Sequence, residues 1–134
     1  MRLNQTLPSG WGHLIPITVL LVDDDPDMRL YLRSCLRSPG VEVERVLEAA
    51  DGLEALRLAR AGGVNLVISD IVVPGLDGRA LCRAIRESPE LDDITVLLIS
   101  GEDGAGAQAS DADGFLAKPF NSRQLVAALQ GLLP

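Results

Sequence analysis

Aromatic residues are scarce, at 3% of the chain: one Trp, one Tyr and two Phe. Apolar residues as a whole reach 47%, so the core this sequence can build is aliphatic. Histidine occurs once, at His13, which by itself makes neither a metal site nor a catalytic pair. Cysteine occurs twice, at Cys35 and Cys82, in separate expected helices and without CxxC spacing. Both read as buried free thiols in a reducing cytoplasm rather than as a disulfide. Positive charge is in deficit, with 12 Lys and Arg against 19 Asp and Glu and a net charge of −7. That balance argues against direct nucleic-acid binding by this chain, which needs a basic surface. No apolar run approaches the roughly 20 residues of a membrane span. The N-terminus lacks the continuous apolar segment of a secretion signal, so no membrane partner is expected.

What is present is one domain's worth of chain, 134 residues. Its centre is the stretch Val19-Leu20-Leu21-Val22-Asp23-Asp24-Asp25. A short apolar run without polar alternation reads as a strand buried on both faces, as in a parallel sheet. The carboxylates then stand where the strand ends, the edge at which open α/β sheets bind ligands. Adjacent acids repel by about 1 kcal/mol per pair at 4 Å in bulk water and about 4 at an effective dielectric of 20. A cation that neutralises them is expected, and clustered carboxylate oxygens suit Mg²⁺ better than zinc.

Residues 1–16 carry Pro and Gly without period and read as a flexible tail; residues 17–134 form the domain. Strand one is 17–22, and Asp25-Pro26 opens a helix with its stripe at Met28, Leu32, Cys35 and Leu36. Val41, Val43 and Val46 suggest strand two. Asp51-Gly52-Leu53-Glu54 resembles a capping box, with Leu53, Leu56 and Ala59 to Ala61 expected to face inward. Leu66 to Ser69 is strand three and runs into Asp70, followed by the turn-rich loop Ile71 to Gly78. Leu81, Ala84 and Ile85 mark the third helix, which Ser88-Pro89 closes. Ile94 to Ile99 is strand four, ending at Ser100. Residues 101–114 are rich in Gly and Ala and predict a short or irregular helix. Phe115 to Ala117 is strand five, followed by Lys118-Pro119-Phe120; Leu125, Leu129 and Leu132 line the last helix. Alternating strands and helices predict a doubly wound parallel sheet with helices on both faces. Asp23, Asp24, Asp70, Ser100 and Lys118 then gather at one edge. Taken singly, each has a plain structural use: Asp25 as an N-cap, Asp77 in a turn, Asp70 as a helix cap, Ser100 as a strand-end hydroxyl, Lys118 in solvent.

The four motifs VLLVDDD, DIVVPGLDG, LLISG and FLAKPF occur in this order. With them the chain resembles the receiver domain of two-component response regulators, from residue 17 to 133. The resemblance implies the flavodoxin-like strand order 2-1-3-4-5, for which a family member is a reference case. It implies that Asp70 accepts a phosphoryl group. It implies Mg²⁺ held by Asp23, Asp24, Asp70 and the backbone carbonyl of Val72. Ser100 and Lys118 would bind the phosphoryl oxygens, the bond from Lys118 to Pro119 would be cis, and Ser100 with Phe115 would form the switch. Val72 and Glu102 occupy the positions that tune hydrolysis in the family. The donor would be a sensor histidine kinase or a histidine phosphotransfer protein, and the output an unidentified downstream protein. The chain would promote only its own phosphorylation and dephosphorylation and would not be an enzyme in the ordinary sense.

One departure stands out: Ser100 and Lys118 are 18 positions apart, several fewer than is usual in the family. The expectation is a mobile or remodelled segment 101–114 and loss of the usual dimer through that face. A stand-alone receiver is the favoured reading, since no effector segment follows the last helix; a piece of a hybrid kinase or longer regulator is the alternative. A phosphatase of the haloacid-dehalogenase type could use Asp23-Asp24-Asp25, but no Asp or Glu follows Lys118 to supply its later acidic pair. A receiver-like binding module that is never phosphorylated is a third reading, against which the intact site argues.

Overall fold

The computed structural model describes residues 16–101 and 111–133. The expectations for the tail, His13 and Glu102, and for most of segment 101–114, lie outside the described residues. Five strands form one parallel sheet: β1 (Ile17–Val22), β2 (Val43–Ala49), β3 (Leu66–Asp70), β4 (Thr95–Ser100) and β5 (Gly114–Ala117). Their order is β2-β1-β3-β4-β5, as expected. The four α-helices among the described residues are α1 (Pro26–Cys35), α2 (Gly52–Arg60), α3 (Gly78–Glu87) and α4 (Ser122–Leu132), and a short 3-10 turn, Pro89–Leu91, follows α3.

The three central strands are buried because both faces of the sheet are covered. All six residues of β1 are buried. Alternation sends Val19 and Leu21 to one face and Leu20 and Val22 to the other. On the first face they meet Leu32 and Cys35 of α1 and Leu125 and Leu129 of α4. On the second they meet Ala55 and Ala59 of α2 and Leu81, Cys82 and Ile85 of α3. Each fully buried Leu or Ile contributes about 1.5–3 kcal/mol. Cys35 and Cys82 are free thiols on opposite faces of the sheet, in agreement with the sequence reading.

Side-chain caps set the helix starts. Asp25, Asp51, Asp77 and Asn121 accept hydrogen bonds from the N–H groups of Asp27, Glu54, Ala80 and Gln124. Only Asn121 completes a capping box, through Gln124; at α2 the Glu54 carboxylate turns to Arg57 instead. Two inward assignments in α2 need correction. Leu53 is exposed, at 62%, and so is Ala61. The buried stripe of α2 is Gly52, Ala55 and Ala59, because small residues let this helix lie close to the sheet and to α3. Leu53 rotates out over the loop at Gly75.

Gly131 lies in α4, and a Cβ there would meet nothing within 4 Å. Gly131→Ala is expected to stabilise the fold by up to about 1 kcal/mol through helix propensity alone, seen as a rise in Tm.

Candidate functional site

The sheet register assembles the acidic edge. Val22 pairs with Ser69, so the next residues, Asp23 and Asp70, leave neighbouring strands side by side. Asp70 pairs with Ile99, which places Ser100 one step beyond it on the next strand. Ser100 pairs with Ala117, and Lys118 follows. Five sequence-predicted side chains therefore converge from four strand ends.

Lys118 Nζ donates to Asp70 Oδ2 at 2.8 Å. The side chains are 30% and 13% exposed, so this pair is partly shielded from water. Asp70 Oδ1 accepts from the N–H of Val72 at 3.2 Å. The Lys118 backbone N–H donates to Ser100 O at 2.9 Å, and the Lys118–Pro119 peptide is cis. Ser100 is buried. Tyr31 of α1 donates its hydroxyl to Phe120 O at 2.7 Å, tying the segment after the lysine to α1. Phe115, the expected switch residue, is 38% exposed on β5.

Asp23 is 3% exposed and is the only buried carboxylate among the described residues. Burial pushes its carboxyl above the ordinary range; the N–H of Asp25 and the charge of Lys118 oppose this, while the negative charges of Asp70 and Asp24 add to it. Asp24 is exposed at the rim. The side chains of Asp25 and Asp77 serve as helix caps, while the Asp25 N–H donates to Asp23 Oδ1.

The donor chemistry fits a hard divalent cation: oxygen ligands only, one buried carboxylate beside two others, and a single ammonium already engaged with Asp70. Among the described residues no three His, Cys, Asp or Glu side chains form a ready-made cage. Mg²⁺ does not need one, since it is commonly bound through one or two carboxylates and keeps several waters. The residues that would hold it are Asp23, Asp24, Asp70 and the carbonyl of Val72.

The direction of the Asp23 shift makes a prediction. A carboxyl raised above its unfolded value costs stability where it is ionised, and the cost disappears as pH falls and it takes up its proton. Without divalent cation, Asp23→Asn should raise Tm at neutral pH. The gain should shrink toward acidic pH. Melting curves in chelator at several pH values check this.

Sequence reasoning missed four residues that shape the site. The sequence motifs single out neither Arg29 nor Glu48, yet the two bridge to each other beside Asp23. Gly52 and Gly78 read as a cap and a turn, yet both make room for the loop that follows Asp70. No local pattern marks such contacts: Arg29 with Glu48 and Gly52 with Leu76 join different elements, and Gly78 is set by how the loop after Asp70 folds back on itself.

A five-stranded, doubly wound parallel sheet with an aspartate–lysine pair and a buried acid at its carboxyl edge defines a receiver domain. The chain belongs to the response regulator receiver domain family, whose profile matches residues 19–130. It is 37% identical over 124 residues to the response regulator MprA of Mycobacterium sp. (strain KMS), covering 89% of this chain and 51% of MprA. The chain thus spans about half the length of the response regulators of this kind that it matches. Among solved structures it resembles the chemotaxis protein CheY4 of Vibrio cholerae, with a TM-score of 0.76 and 32% identity over 89% of this chain and all (100%) of that one. It also resembles the receiver domain of the sensor histidine kinase PA1611 from Pseudomonas aeruginosa. That match has a TM-score of 0.76 and 28% identity, over 88% of this chain and 98% of the other. The PA1611 structure holds a magnesium ion coordinated in its active-site cleft. Family membership removes the haloacid-dehalogenase reading. No helix among the described residues is long and apolar enough to cross a membrane.

Proposed function

We propose that this chain is a cytoplasmic phosphoacceptor that takes a phosphoryl group from the phosphohistidine of a sensor histidine kinase or phosphotransfer protein onto Asp70. The observation that carries the reading is the Asp70–Lys118 pair beside the buried Asp23. A carboxylate oxygen of Asp70 attacks phosphorus, the P–N bond to the donor imidazole breaks, and the bonding electrons leave with the nitrogen. Phosphoryl transfer asks the protein mainly for positioning and charge neutralisation. The Val72 N–H and the Lys118 ammonium hold the Asp70 carboxylate from two sides. Bound Mg²⁺ supplies positive charge toward the phosphoryl oxygens.

The acyl phosphate adds negative charge and strong acceptors. Lys118 then pairs with the phosphoryl group, and Ser100 donates its hydroxyl to it. Movement of Ser100 opens space for Phe115 to turn inward from its exposed position, a packing switch with two arrangements. Output follows as altered protein contact or onward phosphotransfer, and the chain turns over no substrate beyond its own phosphoryl group.

Calorimetry with beryllofluoride, a mimic of the attached phosphoryl group, tests the reading. One-to-one binding that requires both Mg²⁺ and Asp70 is expected. Absence of binding to the folded wild-type chain in Mg²⁺ contradicts it.

A further inference from the structure

The backbone and carboxylate of Asp23 are held from three directions. Its N–H donates to Ala49 O at the end of β2, at 3.1 Å. Its Oδ1 accepts from the N–H of Asp25 at 2.9 Å. Its carbonyl oxygen accepts from Nη1 of Arg29, on α1. The same guanidinium donates through Nε to Glu48 Oε1 at 2.6 Å, and Glu48 stands next to Ala49 on β2. The second Glu48 oxygen accepts from Nε of Arg33. Arg29 is 17% exposed and Arg33 39%, so Arg29 is the shielded member of the pair. The fork of Arg29 thus closes a ring from the β1 end through α1 to the β2 end and back to Asp23.

We propose that Arg29, held in place by Glu48, is a positioning residue that aims the Asp23 carboxylate for a divalent cation. The proposal rests on the reading of Asp23 as a cation ligand. Arg29 touches neither the reacting oxygens nor Lys118; it acts through the main chain of Asp23. Arginine is suited to this because its planar fork reaches two acceptors in fixed directions, which a lysine ammonium does not reproduce. A partner that orients a metal ligand from outside the coordination sphere is commonly worth about 10–100-fold in affinity or activity.

Simple charge and positioning predict opposite signs. Removing a cation beside an acidic cluster strengthens Mg²⁺ binding if only charge matters. Removing a positioning residue weakens it. The experiment is Mg²⁺ calorimetry on the wild-type chain and on Arg29→Gln, Arg29→Lys, Glu48→Gln, Arg33→Gln and Asp23→Asn, with Tm confirming that each is folded. Hydrogen exchange of the Asp25 amide in cation-free protein is followed alongside.

The expected result is Mg²⁺ binding weakened about 10-fold or more in Arg29→Gln, Arg29→Lys and Glu48→Gln, and unchanged in Arg33→Gln. Protection of the Asp25 amide falls in the first three only. Equal or tighter Mg²⁺ binding in Arg29→Gln, with Asp23→Asn still abolishing it, overturns the positioning role alone. Wild-type affinity in Asp23→Asn overturns the cation-ligand reading and the proposal with it.

Discussion

Replacing Asp70 with asparagine is expected to reduce phosphate uptake to background while the domain stays folded. The amide keeps the shape of the side chain but has no anionic oxygen to attack phosphorus. Two effects on stability oppose each other. Lys118 loses its partner at 2.8 Å, but the ammonium is 30% exposed, so water recovers part of its solvation. Asp23 is relieved of a neighbouring negative charge that disfavours its ionised form. The two effects partly cancel, so the net change in Tm should be small. Intact mass after incubation with a small phosphodonor, with a melting curve on the same sample, separates lost chemistry from lost fold. Phosphate uptake by Asp70→Asn at the wild-type rate would remove Asp70 from its assigned role.

Gly52→Ala is expected to cost more stability than any other single methyl added at the described glycines. A Cβ at Gly52 would lie 1.7 Å from the carbonyl oxygen of Leu76 and 2.6 Å from its carbon. Both are backbone atoms, so no side chain can swing aside. The Gly52 N–H also donates to Pro74 O at 3.1 Å, which pins the loop after Asp70 onto the start of α2. Overpacking of this kind costs about 1–3 kcal/mol and occasionally more, and the depth of the overlap puts Gly52→Ala at the upper end. The loop must lift or α2 must retreat, and either displaces Val72, whose N–H steadies Asp70. Phosphorylation should slow together with the fall in Tm. Gly78→Ala should behave alike, since a Cβ there would stand 2.5 Å from the carbonyl oxygen of Asp70 itself. Gly131→Ala is the control, with open space around it. A Tm for Gly52→Ala equal to that of the wild type contradicts the close packing of loop on helix.

Most of the fold was legible in the sequence for a definite physical reason. Parallel strands covered on both faces must be apolar throughout, and β1, β3 and β4 announce themselves as short aliphatic runs. The site was legible because each run ends directly in a polar residue, so the sheet's own register brings Asp23, Asp70 and Ser100 together. Helix α2 was read less well. Large apolar residues usually mark the inner face, but here small size governs: Ala55 and Ala59 pack inward and Leu53 points out. The Arg29–Glu48 bridge was illegible because it spans α1 and β2, and neither element's periodicity singles out a charged residue. The same holds for Gly52, whose role depends on where the loop carrying Leu76 comes to rest.

The most direct test of the account is to locate the phosphate. The wild-type chain is incubated with acetyl phosphate with and without Mg²⁺, quenched, reduced with borohydride to trap the acyl phosphate, and mapped by peptide mass. The account predicts a single modification, at Asp70, that requires Mg²⁺. Modification centred on Asp23 or Asp24, or the same yield at Asp70 without Mg²⁺, would contradict it.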